Sequence, residues 1–267
     1  MLLLFSIVYA LCAAICLAVY NNLVNKSTIK QSNMRELILN GAAGKIEAKY
    51  CHSSQQNAPA AIVLQPHPLY GGTMNNKVVY NIFHTFAKRN FSVLRFNFRG
   101  VGKSDGTFDH GVGELLDAAI ALDWIGTQNP SASSYWIAGF SFGAWIAMQL
   151  LMRRPELSGF VAISPPAHSY DFSFLSPCPA PGIIIQGTSD TTVPESAVFS
   201  LYEKLEKQRN SDVEYFPITG ANHFFDDHID QLISAIDSYL EPRVNMQTVP
   251  KKVKKDRRRR RQGIINE

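Results

Sequence analysis

Ala138-Gly139-Phe140-Ser141-Phe142-Gly143-Ala144 is the stretch on which the reading of this chain turns. It spells G-x-S-x-G. Tyr135-Trp136-Ile137-Ala138, just before it, is apolar with strand character, and Ala144 to Met152, just after it, is a run of helix formers. A serine between a strand and a helix sits on a tight turn that lifts its hydroxyl clear of the backbone. Gly139 and Gly143 have no Cβ, so neighbouring chain can pack closely around a strained residue. Phe142 N–H would then lie at a helix N-terminus, aimed where negative charge develops.

A serine hydroxyl is a poor nucleophile at neutral pH. It needs a base, and the base needs an orienting carboxylate. Both candidates follow Ser141 in the chain. Asp190 stands in Gly187-Thr188-Ser189-Asp190, just past an apolar strand, and His223 in Gly220-Ala221-Asn222-His223-Phe224, past the last strand. Each is a loop position at the carboxyl edge of a strand, where open α/β sheets bind ligands. His228 falls inside the final helical pattern, and Asp226 and Asp227 begin that helix.

A second oxyanion donor is expected from Gln65-Pro66-His67-Pro68-Leu69-Tyr70-Gly71-Gly72-Thr73. Pro66 and Pro68 have no N–H. Leu69 is therefore the first donor after the His-Pro pair, with Tyr70 next in line. His67 either braces this loop or touches substrate, and Tyr70 and Tyr170 are the other candidate substrate contacts.

Outward from the site, Arg35–Leu39 and Lys45–Tyr50 alternate around a Gly-containing turn and read as an antiparallel hairpin. Ala61–Leu64, Ser92–Phe98, Tyr135–Ala138, Phe160–Ile163, Gly182–Ile185 and Val213–Phe216 follow as short apolar strands. Helical patterns at Asn76–Arg89, Glu114–Ile125, Pro194–Lys207 and Asp227–Leu240 fall between them. The alternation predicts a largely parallel sheet. Arg99-Gly100-Val101-Gly102-Lys103-Ser104 invites a nucleotide-loop reading, but the first glycine of that motif would fall at position 97, which is Asn, and the loop continues through Gly106 rather than opening a helix. A structural loop beside the site is the expectation there.

Taken together, the H-P-x-x-G-G loop at His67–Gly72, the R-G-x-G-x-S-x-G stretch at Arg99–Gly106, the elbow at Gly139–Gly143, the G-T-x-D loop at Gly187–Asp190 and the N-H-F at Asn222–Phe224 resemble an α/β-hydrolase. The resemblance is to the compact bacterial group related to dienelactone hydrolases and prolyl-oligopeptidase-type domains, and it covers Met34 to Leu240. It implies a mostly parallel eight-stranded sheet with helices on both faces. It also implies a Ser141–His223–Asp190 triad, acyl-enzyme chemistry and no cofactor or metal. Dienelactone hydrolases proper use Cys as nucleophile; Ser141 departs from that. Larger hydrolases insert a helical cap at the connection that here runs from Ser164 to Pro181, which is too short to hold one. An open site suits esters or thioesters of modest size, or a peptide end. His168, Tyr170, Phe172 and Phe174 either rim that site or pack on the core.

The formal charge of +4 sums two unlike parts. Residues 243–267 hold ten Lys and Arg against two acids, while the rest holds 16 basic and 20 acidic side chains. The tail is expected to be disordered. Its partners would be anionic lipid or nucleic acid, or a non-catalytic scaffold could bind polyanions through it. Residues 1–33 form an apolar extension, with no charge from Met1 to Tyr20. Residues 1–22 read as a membrane anchor that leaves the body in the cytoplasm. A cleaved signal, or translation from Met34, are the other readings. The domain itself is expected over 34–242. Four cysteines without C-x-x-C spacing argue against a zinc site or a disulfide framework.

Overall fold

A computed structural model describes residues 34–247. The apolar extension and the basic run from Lys251 onward lie outside the described residues. Among the described residues, no helix is long and apolar enough to cross a membrane.

Eight strands of the described residues form one sheet: β1 (Met34–Gly41), β2 (Gly44–Cys51), β3 (Ala60–Leu64), β4 (Ser92–Phe96), β5 (Tyr135–Phe140), β6 (Leu157–Ile163), β7 (Gly182–Gly187) and β8 (Val213–Ile218). Their spatial order is β1-β2-β4-β3-β5-β6-β7-β8. β1 and β2 form the expected antiparallel hairpin, and β2 also runs antiparallel to β4. All other pairs are parallel. This is the mostly parallel eight-stranded sheet that the resemblance implies. β8 carries Pro217, which its edge position tolerates because one side of an edge strand needs no ladder donor.

Among the described residues, five α-helices cover the sheet: α1 (Lys77–Lys88), α2 (Val112–Gln128), α3 (Phe142–Leu151), α4 (Glu195–Glu206) and α5 (Ile229–Gln247). Side chains alternate across a strand, so β3 sends Ile62 and Leu64 to one face and Ala61 and Val63 to the other. The first face packs against α2, α3 and α4 through Leu122, Ile146 and Leu201. The second packs against α1 and α5 through Ile82, Phe86, Leu232 and Ile236. Because both faces are covered, the central strands are apolar throughout. α5 continues through Pro242 to Gln247, beyond the end of its apolar periodicity at Leu240. α2 starts two residues before its first expected residue. Buried Glu114 caps it, accepting from Asp109 N–H (2.9 Å) and Gly111 N–H (2.7 Å).

The strand order reverses at β3 and β5, since β4 lies to one side of β3 and β5 to the other. A crevice opens outside the carboxyl ends of strands at such a switch point. The loop after β3 and the turn after β5 both project there. Residues 164–181, which join β6 to β7, contain no helix or strand, so no cap covers the crevice.

Candidate active site

Ser141 occupies the single position between β5 and α3, with φ 54° and ψ −119°. That region is costly for a residue with a Cβ, of order 1–3 kcal/mol, and persists only where the surroundings hold it. Here they do. Ser141 N–H donates to Ile163 O of β6 (2.8 Å), while Ser141 O accepts from Ala144 N–H (2.8 Å). The two motif glycines are needed for close approach. A Cβ on Gly139 would strike the Gly143 carbonyl, and one on Gly143 would strike the carbonyls of Leu64 and Gln65. The Ser141 hydroxyl does not cap α3 and is half-buried at the crevice.

Asp190 and His223 lie in contact. His223 Nδ1 lies 2.7 Å from Asp190 Oδ2, and both residues are buried. The two loops are tied together by Ser189 N–H donating to Ala221 O (3.0 Å). Gly187 permits this contact, because a Cβ there would strike the Ala221 carbonyl. Asn222 shapes the histidine loop by accepting from Phe224 N–H (3.1 Å) and Asp226 N–H (3.2 Å). Burial alone would push the Asp190 carboxyl up. Hydrogen bonds from His223 and from the N–H groups of Val193 and Thr192 outweigh it and hold the group below its ordinary range. The imidazole packs on Phe140, the residue before Ser141, at 4.9 Å between ring centres. No hydrogen bond joins it to the Ser141 hydroxyl. Such contacts are often loose in resting enzymes and tighten around substrate.

Phe142 is the first residue of α3, so its N–H has no acceptor within the helix. Leu69, the expected second donor, behaves differently. Its N–H points into its own loop at His67 Nδ1 (3.2 Å), and Tyr70 N–H goes to His67 O (3.1 Å). The Pro68–Tyr70 segment is a single 3₁₀ turn that His67 caps, so its donors are drawn inward. His67 thus braces the loop. Its ring packs on Phe142, Phe108 and Tyr70 at 4.9, 4.7 and 4.6 Å. Burial holds its pKa below the ordinary value, which suits an imidazole nitrogen that accepts a hydrogen bond. Tyr70 is exposed.

Tyr170 packs against Trp145 (4.4 Å) and Phe142 (5.8 Å). Phe172 is buried, and Phe174 stacks on it at 6.0 Å, so these two belong to the core; His168 is exposed. A cavity of about 490 Å³ lies between residues 167–176 and α4. Its lining omits Ser141, Asp190 and His223, so it is a side crevice separate from those three residues.

Several supporting side chains carry no sequence signal. The loop after β3 is clamped by buried groups: Gln65 Nε2 donates to Gly72 O (3.0 Å), Arg95 Nη1 to Met74 O (2.8 Å), and Asn97 Oδ1 accepts from Met74 N–H (2.8 Å). A Gln, Arg or Asn within an apolar run identifies no partner until the loop is seen to fold back over it. The Arg99–Gly106 stretch is structural. Ser104 Oγ donates to Asn97 O (2.8 Å) and accepts from Glu47 N–H (2.9 Å), and Arg99 forms a buried bidentate pair with Asp117. Among the described residues, no cluster of three metal-ligating side chains occurs.

The comparisons with known proteins agree with this architecture. The profile of the X-Pro dipeptidyl-peptidase (S15) family matches residues 45–176. An uncharacterized protein of Rickettsia prowazekii is 52% identical over 211 residues, covering 78% of this chain and 89% of that protein. The solved structure of a protein of unknown function from Agrobacterium tumefaciens, described as a putative α/β hydrolase, superposes with a TM-score of 0.77 at 52% identity, covering 81% of this chain and 100% of that one. An α/β serine hydrolase without lid from Xanthomonas campestris gives a TM-score of 0.71 at 30% identity, covering 80% and 97%. This chain therefore belongs to the α/β-hydrolase superfamily, among its serine hydrolases, and its site opens without a cap.

Proposed function

We propose that the chain hydrolyses a carboxylic ester or thioester through an acyl-enzyme on Ser141. The observation that carries this reading is the buried His223–Asp190 pair, 2.7 Å apart, at the same sheet edge as a serine held in a left-handed turn. Ser141 Oγ attacks the carbonyl carbon and passes its proton to His223 Nε2. Asp190 holds the proton on Nδ1, which leaves Nε2 free to accept. The carbonyl oxygen becomes an oxyanion and takes the Phe142 N–H. It also takes the Leu69 N–H, which exchanges His67 Nδ1 for the stronger acceptor. The tetrahedral centre then collapses. The bond to the leaving oxygen or sulfur breaks, and that atom receives the proton from His223. Water repeats the sequence on the acyl-enzyme, releasing the acid and restoring Ser141.

Tyr70 and Tyr170 flank the entry, and an uncapped crevice favours acyl groups of modest size. A peptidase acting on small peptides would use the same steps with an amine as leaving group. The match to the X-Pro dipeptidyl-peptidase profile is the observation in its favour. A panel of p-nitrophenyl esters, acyl thioesters and aminoacyl p-nitroanilides, run with wild type and Ser141→Ala, tests both. The ester reading expects kcat/KM for esters or thioesters to exceed that for anilides by at least a hundredfold, and Ser141→Ala to abolish turnover. Preferred anilide cleavage would assign the peptidase reading. Full turnover by Ser141→Ala would overturn both.

A further inference from the structure

Gln186 is the penultimate residue of β7, just before Gly187, and is fully buried. Its Nε2 faces three acceptors: Val193 O (3.0 Å), Gly187 O (3.2 Å) and Asp190 Oδ2 (3.2 Å). Its Oε1 is buried and has no hydrogen-bond partner. The orientation of the amide is therefore fixed, because a flipped amide would press its oxygen against two carbonyls and a carboxylate. An orphaned buried acceptor is expensive and uncommon. The residue tolerates it while keeping its donor end on the same carboxylate oxygen that meets His223 Nδ1.

Asp190 receives four donors in all. Oδ2 takes His223 Nδ1 and Gln186 Nε2, and Oδ1 takes Thr192 N–H and Val193 N–H, both at 2.8 Å. The two backbone donors fix one oxygen. Gln186 is the side chain that fixes the other, and it also anchors the turn through Val193 O. Apart from His223, no titratable side chain among the described residues contacts Asp190. Asp226, on the histidine loop, is turned toward Lys77 and Asn222.

We infer that Gln186 is a positioning residue for the reaction: it sets the plane and charge of the Asp190 carboxylate and, through it, the tautomer and aim of His223. This inference rests on the proposed triad. Gln186 touches no substrate, so Gln186→Leu is expected to lower kcat about tenfold with KM unchanged. In an Asp190→Asn background the same substitution should have less than a twofold effect, because the group through which it acts is already disabled. Gln186→Glu preserves shape and places a second carboxyl beside Asp190. The two carboxyls take up a proton at higher pH than one alone, and the added negative charge favours the protonated His–Asp pair. Both effects move the acidic limb of the kcat/KM profile to higher pH.

The experiment measures kcat, KM and the pH profile of p-nitrophenyl ester turnover for wild type, Gln186→Leu, Gln186→Glu, Asp190→Asn and the Gln186→Leu/Asp190→Asn double variant, with a thermal melt of each. A tenfold fall that vanishes in the double variant, with a displaced acidic limb for Gln186→Glu, is the expected result. An unmoved limb for Gln186→Glu overturns the inference, as does a Gln186→Leu loss that never appears or that persists undiminished in the Asp190→Asn background. Should Asp190→Asn itself retain wild-type kcat, the triad fails and the inference falls with it.

Discussion

Replacing Asp190 by Asn changes one atom, and the surroundings favour one orientation of the new amide. Oδ1 accepts two backbone N–H groups, from Thr192 and Val193, that cannot rotate. The amide oxygen must stay on that side, since the reverse arrangement would set an amide NH₂ against two donors. The NH₂ then faces Gln186 Nε2, whose hydrogen bond is lost, and His223 Nδ1, which must become an acceptor, so the imidazole proton moves to Nε2. In that tautomer Nε2 cannot take the Ser141 proton. The loss expected from a wrong tautomer is about 10³–10⁴-fold in kcat, or roughly 4–5.5 kcal/mol of transition-state stabilisation. Fold and KM should change little, because the substituted atoms differ by little in volume. The assay is kcat on a p-nitrophenyl ester near neutral pH, with a thermal melt to confirm folding. A folded Asp190→Asn variant losing less than tenfold would show that the imidazole is not oriented by residue 190.

Two further outcomes test the frame that holds the site. Arg99 and Asp117 pair through Nε–Oδ2 (3.0 Å) and Nη2–Oδ1 (2.8 Å), and both side chains are largely buried. Removing one partner strands the other charge, so Asp117→Ala should cost about 3–5 kcal/mol in urea unfolding; a cost under about 1 kcal/mol would contradict the assignment. The His84 pKa is pushed down to about 4, first by burial and then by Arg95 and Lys88. Its folded value lies below the unfolded one, so the unfolded state takes up the proton first as pH falls. Stability is full above about pH 6.5 and declines by at most about 1.4 kcal/mol per pH unit down to about pH 4. Partial exposure of the ring makes that slope an upper bound. His84→Gln should flatten this part of the stability profile, and an unchanged slope would assign the acid sensitivity elsewhere.

The parts of the fold legible from sequence are those with strong periodic signals. The strand–glycine–serine–glycine–helix run from Tyr135 to Leu151 states its own geometry, because only glycines at 139 and 143 let the chain pass Leu64, Gln65 and itself so closely. Asn76 marks the start of α1, where its side chain accepts from Val78 N–H. The paired loops of Asp190 and His223 follow from the order of strands. What stayed hidden depends on tertiary approach. Leu69 N–H is the first donor of its loop by sequence, yet the capping imbalance of a short 3₁₀ turn draws it to His67. Gln65, Asn97 and Gln186 read as polar interruptions at strand ends until the loops that they anchor are folded over them. Glu114 sits in the first turn of an amphipathic helix, where an acid is ordinary, and its burial under the Asp109–Gly111 turn has no sequence mark.

The most direct measurement is covalent labelling by a fluorophosphonate followed by peptide mass spectrometry. A single adduct is predicted on the peptide carrying Ser141, absent from Ser141→Ala and formed far more slowly in His223→Ala. An adduct on a different serine, or equal labelling of the Ser141→Ala protein, would contradict the assignment of the nucleophile.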